Sequence, residues 1–241
     1  MLKSHLILLG LIFFSFQAAA QQAVPGTDFT QFSLKSKKDT IDFVVTGTNL
    51  TVKKPVFLFV QGSMPLPLFA DFPGQGVFSL SLGNFDLPTM HKQFHVVVIS
   101  MPKTPVVVGP AHLNENYCYI PDSTKTNEIS DAFVKADYQD NYVDRANKVL
   151  AFLAKQKWVD NSRVVVAGHS QGSRVVAELV TKNKRITHAG LFGFSPLGRV
   201  EEQVWLNYKE FIKGNSSWED YEAKQNQQLE KRADAAGQSA G

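Results

Sequence analysis

A chain of 241 residues, 44% of them hydrophobic, has the length of one domain of ordinary size with a core of its own. Its 25 Lys and Arg against 22 Asp and Glu leave a formal charge of +3, and bases mix with acids, as in Lys35, Lys37, Lys38 and Asp39, which excludes the dense basic stripe of a nucleic-acid binder. A single cysteine, Cys118, excludes an internal disulfide framework and lies in no strand-turn-helix setting that would make it a nucleophile.

At the amino end, Lys3 supplies a basic start, Leu6 to Phe16 form an apolar stretch, and Ala18-Ala19-Ala20 has the small-x-small pattern of a processing site. This predicts a signal peptide over residues 1–20, cut after Ala20. The alternative, a membrane anchor, needs a run of roughly 20 apolar residues, which this stretch lacks. Position 21 is not a cysteine, so lipid anchoring is not indicated, and the mature chain is expected to be secreted or periplasmic. No membrane span is expected in it, because no later stretch is apolar for that length.

Phe32 and Leu34, then Ile41, Phe43 and Val45, alternate with polar neighbours, predicting two half-buried strands joined as an antiparallel hairpin across Ser36 to Asp39. Four later runs differ: Val56–Val60, Phe94–Ile99, Val164–Ala167 and Ala189–Phe194 are short and nearly all apolar, as suits central strands of a parallel sheet covered on both faces. Between them, Tyr142, Ala146, Val149, Leu150 and Leu153 recur at helical spacing, and Val175, Val176, Leu179 and Val180 give a second helix an apolar side. Alternating strands and helices predict an α/β fold with right-handed crossovers, preceded by the antiparallel hairpin. The 18 phenylalanines are read mainly as core.

Two Pro- and Gly-rich stretches, Met64 to Met90 and Pro102 to Ser123, follow the carboxyl ends of proposed parallel strands, where the loops of such sheets build binding sites. Beyond Gly198, Glu201–Ile212 and Trp218–Ala236 read as polar helices, and the terminal Ala-Ala-Gly-Gln-Ser-Ala-Gly as disordered. The expected organisation is residues 1–20 signal, 21–200 core and 201–241 tail.

The stretch most telling for chemistry is Gly168-His169-Ser170-Gln171-Gly172, set between the apolar run Val164–Ala167 and the helix that follows. A serine hydroxyl is a weak nucleophile without a base to take its proton and donors to hold the oxyanion it generates. A Gly-x-Ser-x-Gly turn from strand to helix lifts the serine clear of the sheet and aims a helix amino end at it. The alternative is a polar loop with Ser170 as a helix cap.

These residues resemble the nucleophile elbow of the α/β-hydrolase family. The resemblance covers the amino-terminal hairpin to about Leu197. It implies Ser170 as nucleophile, Gly168, His169 and Gly172 as the rest of the elbow, and the Gln171 amide as one oxyanion donor. It also implies a second donor after an earlier strand, for which Gln61-Gly62-Ser63 offers the Ser63 amide, with Gly62 as its neighbour. The family commonly has His-Gly at that point, and Gln61 departs from it.

The family's acid and histidine follow the serine in later strands and loops, and here no residue fills either role. His188, the only later histidine, falls at the amino end of its strand; His91, His95 and His112 precede the serine, and of these only His112 sits in a loop able to reach it. Glu201, Glu202 and Asp220 are acids by position alone. Triad base and acid are therefore unassigned, and the last strands of a complete member have no counterpart.

The expected function is that of a serine hydrolase cleaving an ester, thioester or peptide bond of a small-molecule or peptide substrate through an acyl-Ser170 intermediate, without cofactor or metal. The alternatives are an inactive truncated copy, a binding protein that kept the fold, and a histidine supplied by a partner chain. The sequence leaves the oligomeric state open.

Overall fold

The computed structural model describes residues 20–36, 39–125, 128–196 and 199–238. The expected signal peptide lies outside them except for Ala20. In chain order the first elements are β1 (Ala20–Ala23), β2 (Phe29–Lys35), β3 (Thr40–Thr46), β4 (Lys54–Val60), β5 (Phe69–Phe72) and β6 (Gly76–Ser79). There follow α1 (Leu87–Gln93), β7 (His95–Ile99), β8 (Val107–Val108), α2 (Asp131–Ala136), α3 (Gln139–Leu153) and β9 (Val159–His169). The last are α4 (Gln171–Lys182), β10 (His188–Phe192), α5 (Arg199–Ile212) and α6 (Trp218–Gln238).

The fold is α/β. Seven strands form the main sheet in the order β1-β2-β3-β7-β4-β9-β10. Strands β1 to β3 and the β3–β7 pair are antiparallel, whereas β7, β4, β9 and β10 run parallel to one another. The hairpin expected from alternation is β2–β3, with Phe32 opposite Phe43 and Leu34 opposite Ile41, so the apolar side chains of both strands share one face. The short β1, Ala-Gln-Gln-Ala, has no apolar alternation to announce it.

One face of the sheet is covered by helices: Tyr142, Val149 and Leu153 of α3 and Val175, Val176 and Leu179 of α4 join Phe43, Val56, Leu58 and Val166 in one buried cluster. Each such side chain withdrawn from water contributes about 1.5–3 kcal/mol. Arg145 of α3 pairs with Asp39 at 2.8 Å and donates to the Ser100 carbonyl at 2.9 Å, tying the hairpin turn to the end of β7. Burial lowers the Arg145 pKa from its usual value.

The opposite face is covered differently. There the first Pro- and Gly-rich stretch folds into β5 and β6, and β8 adds to β5 to make a three-stranded sheet. Leu68, Phe69, Leu82 and Val106 pack against Phe59, Val98 and Ala167, with Leu87 of α1 at the margin. Strands of two to four residues are too short to show a period in the sequence. Cys118 is buried in the loop beyond them, and burial raises its thiol pKa.

Strand β10 departs from expectation. Its apolar composition predicts a covered central strand, yet it is the outer strand of the sheet, and Leu191 and Phe192 are exposed. No strand lies beyond it among the described residues. The tail forms α5 and α6, turned at Gly214 with φ 76°. Helix α6 reaches Gln238, well into the terminal segment expected to be disordered. The two helices pack through Phe211, Trp218 and Tyr221, an aromatic contact hidden within their Glu-, Lys- and Gln-rich composition. Among the described residues no helix is long and apolar enough to cross a membrane.

Candidate active site

The chain leaves β4 toward β7 on one side and leaves β9 toward β10 on the other. Adjacent strands whose connections diverge open a crevice at their carboxyl ends, the usual binding position in such sheets. The loop after β4 holds Gly62 and Ser63, and the turn after β9 holds Ser170.

Ser170 sits between β9 and α4 with φ 55° and ψ −120°, a left-handed conformation that costs a side-chain-bearing residue about 1–3 kcal/mol. Its amide donates to the Phe192 carbonyl at 2.9 Å, and its own carbonyl accepts from the Ser173 amide at 3.0 Å and from the Ser173 hydroxyl. It stands at the N-cap position of α4, yet its side chain caps nothing. The hydroxyl is thus free of the structural duty that a capping serine performs, and Ser170 is exposed.

Both flanking glycines are required by close approach. A Cβ at Gly168 would lie 2.1 Å from the Gly172 carbonyl oxygen, and one at Gly172 would lie 2.2 Å from that of Val60. The start of α4 is therefore pressed against the end of β4, which brings the two loops together. A Cβ at Gly62 would sit 3.8 Å from that of Ser170 and 3.8 Å from the His169 carbonyl oxygen. Gln61 holds this loop: it is buried, and its Nε2 donates to the Ile99 carbonyl at 3.1 Å.

Two cavities meet at this pair of loops. One, of about 380 Å³, is lined by Ser63, Ser170 and Gln171 with Asp137, Arg174 and Glu202 among its polar walls. The other, of about 470 Å³, is lined by Gly62 and His169 with Phe59, Leu66, Leu80 and Phe85. Ser63, Ser170 and Gln171, singled out from sequence, thus share one cavity, while Gly62 and His169 face the next; Gly168 and Gly172 supply the tight turn beneath.

No sequence motif marks Asp137. It lies between α2 and α3, and its Oδ1 accepts from Gln171 Nε2 at 3.2 Å and from the Tyr142 hydroxyl at 2.7 Å. Burial, followed by the bond to Asp137, pushes the Tyr142 pKa far above its usual 10, so the phenol stays a donor. The Gln171 side chain is held from outside α4 by this carboxylate. Arg174, one helical turn beyond Ser170, was also unmarked in the sequence; it faces Glu202 at 4.0 Å. Of the acids named by position, Glu202 reaches the cavity, while Glu201 and Asp220 line neither cavity.

The histidines divide likewise. Apart from His169, none lines either cavity among the described residues. His112 Nδ1 is 3.1 Å from the Ile120 carbonyl, and its ring packs near Tyr119. His188 begins β10, four residues before Phe192, hence ~13 Å from the strand's carboxyl end at ~3.3 Å per residue. His95 is buried at the amino end of β7, with Nε2 3.0 Å from the Val52 carbonyl and 3.1 Å from that of Trp158. Desolvation lowers the His95 pKa. Nothing in the fold brings it or His91, on α1, to Ser170.

No family model matches the chain, and no curated protein matches it. Solved structures do. A Bacteroides fragilis protein provisionally assigned as an acetyl xylan esterase is 16% identical at a TM-score of 0.47, with 71% of this chain and 46% of that one covered. An acylaminoacyl peptidase of Pyrococcus horikoshii is 16% identical at a TM-score of 0.41, covering 75% of this chain and 24% of that one. The thioesterase domain from the curacin biosynthetic pathway is 14% identical at a TM-score of 0.44, covering 78% and 52%. The chain spans about half, or less, of the length of each.

Proposed function

We propose that this chain is a serine hydrolase of the α/β-hydrolase type that cleaves an ester, thioester or peptide bond through an acyl-Ser170 intermediate. One observation carries the reading: Ser170 is held at φ 55° on a strand-to-helix turn, with a hydroxyl that caps nothing, beside the Gly62–Ser63 loop. The Gln171 amide, at the amino end of α4, and the Ser63 amide are the oxyanion donors in this reading. Gly172 permits the approach of the two loops and Gly168 the turn itself, Gly62 lies beside Ser170, and His169 shapes the adjoining wall. The protein acts outside the cytoplasm, released by cleavage after Ala20, with residues 21–200 as the catalytic core and 201–241 as a tail.

A second reading, a binding protein without turnover, is favoured by a separate observation: among the described residues no histidine but His169 lines a cavity beside Ser170. Positioning and oxyanion donors alone still leave about 10³–10⁴-fold catalysis over water when a triad member is absent. Hydrolysis of p-nitrophenyl acetate, measured from pH 6 to 10, separates the two. Serine-dependent hydrolysis lost in Ser170→Ala supports the hydrolase, and a rate equal in both proteins supports the binding reading. If no histidine acts as base, the rate climbs with pH without an inflection near 6.5.

A further inference from the structure

The two cavities at Ser170 differ in kind, and the boundary between them runs through consecutive residues. Gly62 and His169 face one cavity, Ser63 and Ser170 the other. A substrate whose reacting carbon lies at the Ser170 hydroxyl therefore extends one arm into each. The first is walled chiefly by Phe59, Leu66, Leu80, Phe85 and Phe192, with Gln61, Ser81 and Asn84 as polar exceptions; the second has Asp137, Gln139, Arg174 and Glu202 among its walls.

Resting on the serine-hydrolase reading, we propose that the substrate is an ester joining an apolar acyl chain longer than acetyl to a polar, hydroxylated alcohol. The acyl chain occupies the cavity walled by Phe59, Leu66 and Leu80, and the alcohol occupies the cavity walled by Arg174, Asp137 and Glu202.

The direction of the assignment follows from the reaction. Ser170 Oγ bonds to the acyl carbon, the carbon–oxygen bond to the alcohol breaks, and the alcohol departs with the proton that the serine gives up. Water then attacks the same carbon, the Oγ–carbon bond breaks, serine regains its proton and the carboxylic acid is released. The acyl group remains while the alcohol leaves, so the water enters through the space the alcohol vacates. That space must favour water, and carboxylates and a guanidinium do so. The retained acyl arm gains from being kept dry, and aromatic and leucine walls supply that.

A cavity of about 470 Å³ is far roomier than an acetyl group needs, and it lies within the usual range of ligand pockets. Each methylene buried there should raise the acylation rate about fourfold, so lengthening the chain from acetyl to hexanoyl gains on the order of 10²-fold.

The test uses the full chain and a series of ethyl alkylphosphonofluoridates with methyl, butyl and hexyl arms, with the Ser170 adduct read by intact mass. The expected result is labelling that accelerates by on the order of 10³-fold from methyl to hexyl, five methylenes at about fourfold each. Leu80→Trp, or Leu66→Trp from the neighbouring segment, fills the cavity and flattens that series. Equal rates along the series, or an unchanged series in both variants, overturn the acyl assignment yet leave Ser170 a nucleophile. No adduct with any probe overturns the nucleophile reading and this proposal together. For the alcohol arm, glycerol monohexanoate should be cleaved at least tenfold faster than hexyl hexanoate, and the reverse order overturns the polar half.

Discussion

Gly172→Ala probes the joint that brings the two loops together. The added Cβ would lie 2.2 Å from the Val60 carbonyl oxygen and 2.4 Å from that of Gln61, where real Cβ atoms essentially never come within 3.0 Å. The first turn of α4 and the end of β4 must then part by about 0.8 Å, the difference between 3.0 and 2.2 Å. Both neighbours are backbone, at or just past the carboxyl end of β4, so no side chain can rotate away. Overpacking of this sort costs about 1–3 kcal/mol, and at about 2–4 °C per kcal/mol for a chain of this size the melting temperature falls by about 2–12 °C. The separation also moves Ser170 from the Gly62–Ser63 loop, and a displacement near 1 Å costs about 10²-fold in rate. Thermal unfolding and the rate of fluorophosphonate labelling read the two effects. Gly83→Ala, where an added Cβ meets nothing within 4 Å, is the control. A Gly172→Ala protein that melts and labels like the parent would refute the close approach.

Three further outcomes follow from particular residues. Ser170→Gly relieves a positive-φ side chain worth about 1–3 kcal/mol, offset by the ~0.5–1 kcal/mol entropic cost of glycine, so it should melt slightly higher while losing all labelling; a lower melting temperature would contradict the strain. Asp137→Ala removes the acceptor of Tyr142 and Gln171, and should cost about 1–3 kcal/mol and slow labelling at least tenfold; wild-type values in both assays would show that it positions nothing. His95, whose pKa burial holds below its usual 6.5, binds its proton more readily in the unfolded chain. Its contribution is therefore complete above about pH 6.5 and lost as pH falls below it, so urea midpoints should drop from pH 7.5 to 5.5, and less steeply in His95→Gln. An equal slope in both proteins would place the pH dependence elsewhere.

What the sequence discloses is what has a period or a rigid steric demand. The Phe32/Leu34 and Ile41/Phe43 alternation specifies the hairpin, and the apolar runs at Val56, Val96 and Val164 specify the parallel strands, because covering both faces leaves no position for polar residues. Gly168 and Gly172 are legible because no other residue fits. Strand β10 misleads for the same reason: its Leu191 and Phe192 are apolar, but composition does not say whether another element covers them. Residues 69–79 and 107–108 form strands too short for alternation, so the small second sheet is invisible beforehand. Asp137 is silent because its role comes from the return of α3 across the sheet, which places it beside Gln171 from 34 positions away. Glu202 enters the cavity through the placement of α5, which no local pattern encodes.

Everything proposed for this site rests on Ser170 Oγ as the attacking atom. Incubating the full chain with a fluorophosphonate and locating the adduct by peptide mass spectrometry tests it most directly. One adduct is expected, on the peptide containing Ser170, absent from a folded Ser170→Ala protein. Adduct formation at equal rate in Ser170→Ala, or none on Ser170 in the parent, would contradict it.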